Sequence, residues 1–204
     1  MSKFYVAALT GSSGTGKSYA SDYLFAKGIP VIDGDVVARE VVEPGSRCLR
    51  ELVSEFGEEI LNENGTLHRR KLAELSFSNP KRKAKLDSIT HPRIIERTLE
   101  RFDELHKEGY SYCIVEAAAL IESGFYANCD KIILIRSTLD KQIERIVNRD
   151  SITEKEARTR ISAQVSDTLI RSLADYEIEN NGSLDAFEKK LDELAVLFDG
   201  WFCN

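Results

Sequence analysis

The run Gly11-Ser12-Ser13-Gly14-Thr15-Gly16-Lys17-Ser18 fits the spacing G-x-x-x-x-G-K-[ST]. Glycines in such a loop let main-chain N–H groups turn inward around a polyphosphate. The Lys17 ammonium adds positive charge near the β- and γ-phosphates, and the Ser18 hydroxyl suits Mg²⁺. Every residue from Gly11 to Ser18 is therefore a candidate contact to a nucleoside triphosphate, with ATP preferred and Lys17 also a candidate catalytic group.

Two carboxylates follow. Asp33 and Asp35 lie two apart at the end of the next apolar run, Ile29-Pro30-Val31-Ile32. Alternation along a strand places both on one side of its end, where a carboxylate can orient or deprotonate an attacking hydroxyl. The competing use is as a helix N-cap for Val36 onward. Asp35 is favoured for chemistry because it is nearer the next segment. Glu116 closes another apolar run, where an acidic residue at a strand tip meets the Mg²⁺ shell. Arg145 and Arg149 are four apart and share a helix face, which suits clamps on migrating phosphoryl charge. Glu144 and Asp150 could instead pair with them at the surface.

These groups need elements to hold them. Phe4 to Leu9 reads as a buried strand, and Ala20, Tyr23 and Leu24 begin a helix that Gly28 ends. Strand, helix and strand with short links imply a right-handed parallel crossover. Residues 36–110 hold no convincing strand. Ser46 caps a helix carrying Leu49, Leu52, Val53 and Phe56, ended by Gly57. A Gly65 turn precedes 67–77, Asn79-Pro80 reads as an N-cap with an N1 proline, and His91-Pro92 is expected to open a longer helix. Strands return at 112–116 and 131–135, with a helix over 139–148. Thr153 and Glu156 form a capping box for a polar, weakly anchored helix reaching about residue 165. A last strand at 176–178 leads through Asn180-Asn181-Gly182 to a helix with Phe187, Leu191, Leu194 and Leu197 facing inward.

The fold class expected is α/β: a parallel sheet of the P-loop NTPase type flanked by helices, with a helical substrate-binding insert and a small helical lid. The nucleotide-binding core comprises 1–35, 111–140 and 172–204, the insert 36–110, and the lid 141–171. Ligands bind at the carboxyl ends of strands in such sheets. One excursion would hold an acceptor and the other close over the donor phosphates, an organisation of small-molecule kinases.

A net charge of −6 argues against nucleic acid as a partner. No apolar run approaches the roughly 18 residues of a membrane span, and the strand from Phe4 leaves no room for a leader. Cys48, Cys113, Cys129 and Cys203 have no metal spacing, so unpaired thiols in a cytoplasmic protein are expected. Arg69-Arg70-Lys71 and Lys81-Arg82-Lys83 with Lys85 are basic clusters within the insert, suited to an acceptor bearing phosphates or simply to a solvated face. His91 is a cap residue or an acceptor contact.

The chain resembles the dephospho-coenzyme A kinase family across nearly its whole length. Matching stretches are VAALTGSSGTGKS at 6–18, VIDGDVVAREVVEPG at 31–45, NGTLHRRKLAELSF at 64–77, THPRI at 90–94 and LIESG at 120–124. They continue with QIERIVNRD at 142–150, Arg160 to Gln164, Ala174-Asp175 and IENNGS at 178–183. The resemblance implies ATP-dependent phosphorylation of the ribose 3′-hydroxyl of dephospho-coenzyme A, the last step of coenzyme A synthesis. It implies Asp35 as general base, Arg145 and Arg149 as lid arginines, and Asn180 and Gly182 near the adenine. Asp33, Arg70, His91 and Glu122 become candidate acceptor contacts. Tyr19 stands where the family has a small hydroxyl residue, but its expected contribution is a backbone N–H. Ala118-Ala119-Leu120 replaces the family's Pro-Leu-Leu before Glu122. Rivals are a kinase for another small hydroxyl acceptor and a nucleotide-dependent switch, for which a guanine-reading N-K-x-D segment is missing.

Overall fold

The structure, a computed structural model, describes residues 3–116, 123–164 and 167–202. Two compact units divide the chain: residues 1–32 with 104–204, and residues 33–103.

The first unit is built on a five-stranded sheet in the order β2-β3-β1-β4-β5. Its strands are β1 (Tyr5–Thr10), β2 (Val31–Asp33), β3 (Tyr112–Glu116), β4 (Lys131–Arg136) and β5 (Tyr176–Glu179). β1 pairs in parallel with β3 and β4, and β4 with β5, so Leu9 lies opposite Glu116 and Ile133. A strand with neighbours on both sides and helices on both faces must be apolar throughout, and Ala7, Ala8 and Leu9 are fully buried. Two helices cover one face: α1 (Lys17–Ala26), and a C-terminal helix over Leu184–Phe202. Phe187, Leu191, Leu194, Phe198 and Phe202 of the latter pack with Leu24, Ile114, Ile133, Ile135 and Ile178. Phe198 is fully buried, whereas Leu197, expected to face inward, is only partly covered. One residue is a 100° step on a helix, and the spacing of 187, 191, 194, 198 and 202 leaves 197 on the flank. Burial of a phenylalanine of this kind is worth about 1.5–3 kcal/mol.

The second unit contains α2 (Gly34–Glu40), α3 (Arg47–Phe56), α4 (Arg69–Ser76) and most of α5 (Pro80–Lys107). Ser46 Oγ accepts from Leu49 N–H at 3.1 Å and Gly57 ends α3, as their residue types dictate. Leu52, Phe56, Ile60 and Leu72 form a separate core against which Leu86 and Ile89 pack.

Two sequence expectations fail here. Pro92 does not open a helix: it lies inside the 28-residue α5. The helix starts at Pro80, with Asn79 Oδ1 accepting from Arg82 N–H at 2.9 Å. A proline in a helix interior costs about 3 kcal/mol. Packing of Leu86 and Ile89 before it, and the Arg93 ion pairs to Glu51 and Glu96 after it, hold both halves in one helix. Nor does Asp35 extend a strand beside Asp33. The chain enters α2 at Gly34, and Asp33 Oδ1 accepts from the N–H groups of Asp35 and Val36 at 2.7 and 3.3 Å.

The remaining helices are α6 (Leu139–Asp150), α7 (Glu154–Ser162) and α8 (Asp167–Leu173), with the C-terminal helix numbered α9. Thr153 and Glu156 make the full capping box of α7. Ala157 is buried against Ile143 and Ile146, with Val147, Ile152 and Ile161 around them, so α7 has a small apolar seat on α6. Among the described residues no helix is long and apolar enough to cross a membrane. Cys48, Cys113 and Cys129 are free thiols, and Cys203 lies outside the described residues. Burial pushes Cys48 up to about 11 and Cys129 to about 12.

Candidate active site

The loop from Gly11 to Gly16 connects the buried end of β1 to the first turn of α1. Its glycines answer two constraints. Gly14 and Gly16 have φ of 79° and 97°, a region L side chains rarely adopt. Neighbouring elements also press on them. A Cβ on Gly14 would meet the Gln142 carbonyl oxygen at 2.6 Å, and one on Gly16 would strike the Asn180 amide. Inside the loop, the Ser12 carbonyl accepts from Thr15 N–H at 3.3 Å and Thr15 Oγ1 at 2.9 Å. Ser13 N–H donates outward to Gln164 Oε1 at 2.8 Å.

One carboxylate gathers the first turn of α1. Glu116 Oε1 lies 3.1 Å from Lys17 Nζ and 2.8 Å from Ser18 Oγ, and Ser21 Oγ donates to its other oxygen. Lys17 and Glu116 are largely shielded, with side chains 15% and 11% exposed. Ser18 and Glu116, singled out as metal contacts, thus meet in space. Ser21 was missed. Its position four residues after Lys17 put it on the same helix face, and its burial is the signal that spacing alone did not give. Among the described residues no group of three or more His, Cys, Asp or Glu side chains could hold a metal ion. An oxygen set of one hydroxyl and one carboxylate fits Mg²⁺, which keeps most of its water and takes its other ligands from phosphate.

Arg145 and Arg149 share a helix but have different partners. Arg145 Nη1 donates to the carbonyls of Gly14 and Thr15 at 3.1 and 3.3 Å and to Ser137 Oγ at 2.8 Å. Its Nη2 reaches Asn180 O at 2.9 Å and Oδ1 at 3.2 Å. Asn180 is buried and completes the knot, its Nδ2 donating to Thr15 O at 2.9 Å. Arg149 is 59% exposed and forks onto Asp150 with contacts of 2.7 and 2.9 Å. The hydrogen bond it donates to Asp150 outweighs partial burial and holds this guanidinium even more firmly in its charged form. Arg160 of α7 reaches the same Asp150 at 2.6 Å. Gly182 sits in the turn before α9, where a Cβ would make only ordinary contact with Ala186, at 3.6 Å. Tyr19 hydrogen-bonds Glu188 on α9 and its phenol is raised to about 12 chiefly by that bond.

In the second unit, Asp33 and Asp35 are both exposed at the start of α2, the former engaged as the cap. Arg70 pairs with Glu74 at 3.1 Å and is 86% exposed, and His91 Nε2 lies 3.8 Å from Asp87 Oδ1. His68 proves to be the cap of α4, its Nδ1 accepting from Lys71 N–H at 3.2 Å. Glu122 and the 118–120 segment lie outside the described residues.

A parallel sheet whose central strand feeds a glycine loop, a lysine and a hydroxyl residue at a helix start defines the class: this is a P-loop kinase fold. Residues 5–186 match the family described as "Dephospho-CoA kinase", and the chain belongs to that family. A dephospho-CoA kinase of Corynebacterium glutamicum is 41% identical over 188 residues, covering 92% of this chain and 96% of its own. One of Listeria monocytogenes is 39% identical over 183 residues, covering 90% and 92%. The solved structure of dephospho-CoA kinase from Campylobacter jejuni is 27% identical, with a TM-score of 0.72 over 95% of this chain and 96% of that one.

Proposed function

We propose that the chain transfers the γ-phosphoryl group of ATP to the ribose 3′-hydroxyl of dephospho-coenzyme A, releasing coenzyme A and ADP. The observation carrying this reading is the convergence of Lys17, Ser18 and Glu116 beside a glycine loop, in a member of this family. The loop amides and the N-terminus of α1 receive the phosphates, and Lys17 leaves Glu116 to neutralise the γ-phosphoryl oxygens. Ser18 and Glu116 are the residues that would hold Mg²⁺, which when bound would supply charge stabilisation to the transferring phosphate. Asp35 takes the proton of the 3′-hydroxyl as its oxygen bonds to phosphorus, and the bond to the β-phosphate oxygen breaks.

Arg149 is the arginine suited to the transferred charge, since it is exposed and can trade Asp150 for phosphate. Arg145 holds the loop. Asp33, Arg70, His91 and Glu122 are proposed acceptor contacts, and Asn180 with Gly182 flanks the adenine. A panel of acceptors with ADP release as readout tests the reading: dephospho-coenzyme A should exceed nucleosides, shikimate and sugar acids by orders of magnitude. Equal rates across the panel would contradict it.

A further inference from the structure

The end of α7 returns to the phosphate loop. The Gln164 backbone is fixed by the last turn of that helix, its N–H donating to Ile161 O at 3.1 Å, so its side chain moves with α7. That side chain accepts the hydrogen bond of Ser13 N–H at 2.8 Å. From the other side, α6 supports the loop through Arg145 and the close approach of Gln142 to Gly14. The body of α7 rests on α6 by a small apolar cluster and by the Arg160–Asp150 pair at 2.6 Å, whose arginine is half exposed. With so little apolar contact, a single well-placed hydrogen bond is a sizeable part of what fixes α7 relative to the loop.

The geometry points to Gln164 as a positioning residue that seats the end of α7 on the phosphate loop through the Ser13 amide. Seated there, α7 shields the γ-phosphoryl group from water during transfer. The inference rests on the kinase reading above and adds a residue to it. Gln164 touches no reacting atom: it acts through Ser13 and the helix it terminates. Loss of the contact frees α7 to lift, and water competes with the acceptor hydroxyl.

The test has one arm without substrate and one with it. Amide exchange at Ser13, followed by NMR in nucleotide-free protein, should speed up about fivefold in Gln164→Ala, the effect of losing one neutral hydrogen bond. Gln164→Glu keeps an acceptor oxygen on the same stem and should restore the slow exchange. In the presence of ATP, Mg²⁺ and dephospho-coenzyme A, Gln164→Ala should release more ADP per coenzyme A formed, by a similar factor. Unchanged Ser13 exchange in Gln164→Ala, or failure of Gln164→Glu to restore it, overturns the contact. Altered exchange with an unchanged ADP-to-product ratio overturns the shielding role. Because the exchange arm needs no turnover, it stands or falls separately from the identity of the acceptor.

Discussion

Lys17 Nζ sits 3.1 Å from Glu116 Oε1, the same oxygen that accepts the Ser18 hydroxyl. The lysine proposed to meet phosphate is thus held by the carboxylate proposed to stand behind a bound cation, and both are largely shielded from water. On the proposed reading, a nucleotide that draws Lys17 to its phosphates leaves the shielded Glu116 carboxylate in need of a new positive partner, the role a cation accompanying the phosphates would fill.

Glu116→Gln should keep the fold, since the amide fills the same space and still accepts from Ser18. It would remove the negative charge proposed to help hold a bound Mg²⁺. The Mg²⁺ concentration for half-maximal rate should rise about 10- to 100-fold, as found for outer-shell carboxylates at metal sites. A rate-versus-Mg²⁺ curve superimposable on that of the parent protein would remove Glu116 from this role.

Arg145 and Asn180 form a single knot around the carbonyls of Gly14 and Thr15. Truncating either to alanine leaves buried polar groups unpaired, at a cost of about 1–3 kcal/mol. Because they share partners, the double variant should lose less than the sum, with a coupling of about 0.5–3 kcal/mol in denaturant unfolding. Arg145→Lys should not restore stability, since an ammonium cannot span the forked acceptors. Additive losses would show that the two act separately.

Asp35→Asn should lower turnover by about 10²- to 10⁴-fold with ATP affinity nearly intact, the size expected for loss of a general base. Asp33→Asn keeps a side-chain oxygen for the N-cap of α2, so its stability should hold. Steady-state rates with ATP binding measured separately check this, and parental turnover in Asp35→Asn would exclude the residue as base.

Stability should be acid-sensitive in a definable window. Burial works to raise the Glu40 carboxyl, but Arg101 and Arg97 outweigh it and hold it below its ordinary range. The Arg149 hydrogen bond, then Arg160, holds Asp150 low in the same way. Such groups bind fewer protons folded than unfolded. Their contribution is complete above the unfolded values, about 4.3 for Glu and 3.9 for Asp, and is lost as pH falls through the lower folded values. Melting temperature should be flat from neutrality to about pH 5 and fall below about pH 4. Glu40→Gln should melt lower at pH 7 and lose less on acidification, since α2 is tied to α5 through this side chain at 2.7 and 3.1 Å. An acid slope identical to that of the parent would place the sensitivity elsewhere.

What the sequence revealed was local. The Ser46 cap and the Thr153–Glu156 box depend on neighbours within four residues, and each forms as its residue types require. The glycine loop was legible from its own spacing, although Gln142, Arg145 and Asn180 also shape it. The meeting of Ser18 with Glu116 followed from strand-tip chemistry. Elements decided by distant packing were harder to read. Pro92 is tolerated because the turns on either side of it are pinned to α3 and α4. Spacing put Arg145 and Arg149 on one face, but only the fold could reveal that the loop carbonyls claim the first. Asp33 serves as a cap because Gly34 turns the chain into a helix at once, an option its sequence left open. The partnership of Gln164 with Ser13 spans 151 positions and leaves no local trace.

The most direct measurement is NMR of the product formed from dephospho-coenzyme A, ATP and Mg²⁺ by the purified protein. A new phosphate on the ribose 3′-oxygen, formed in step with ADP, is the predicted result. ADP accumulating while the acceptor is recovered unchanged, or phosphate at any other position, would contradict the account.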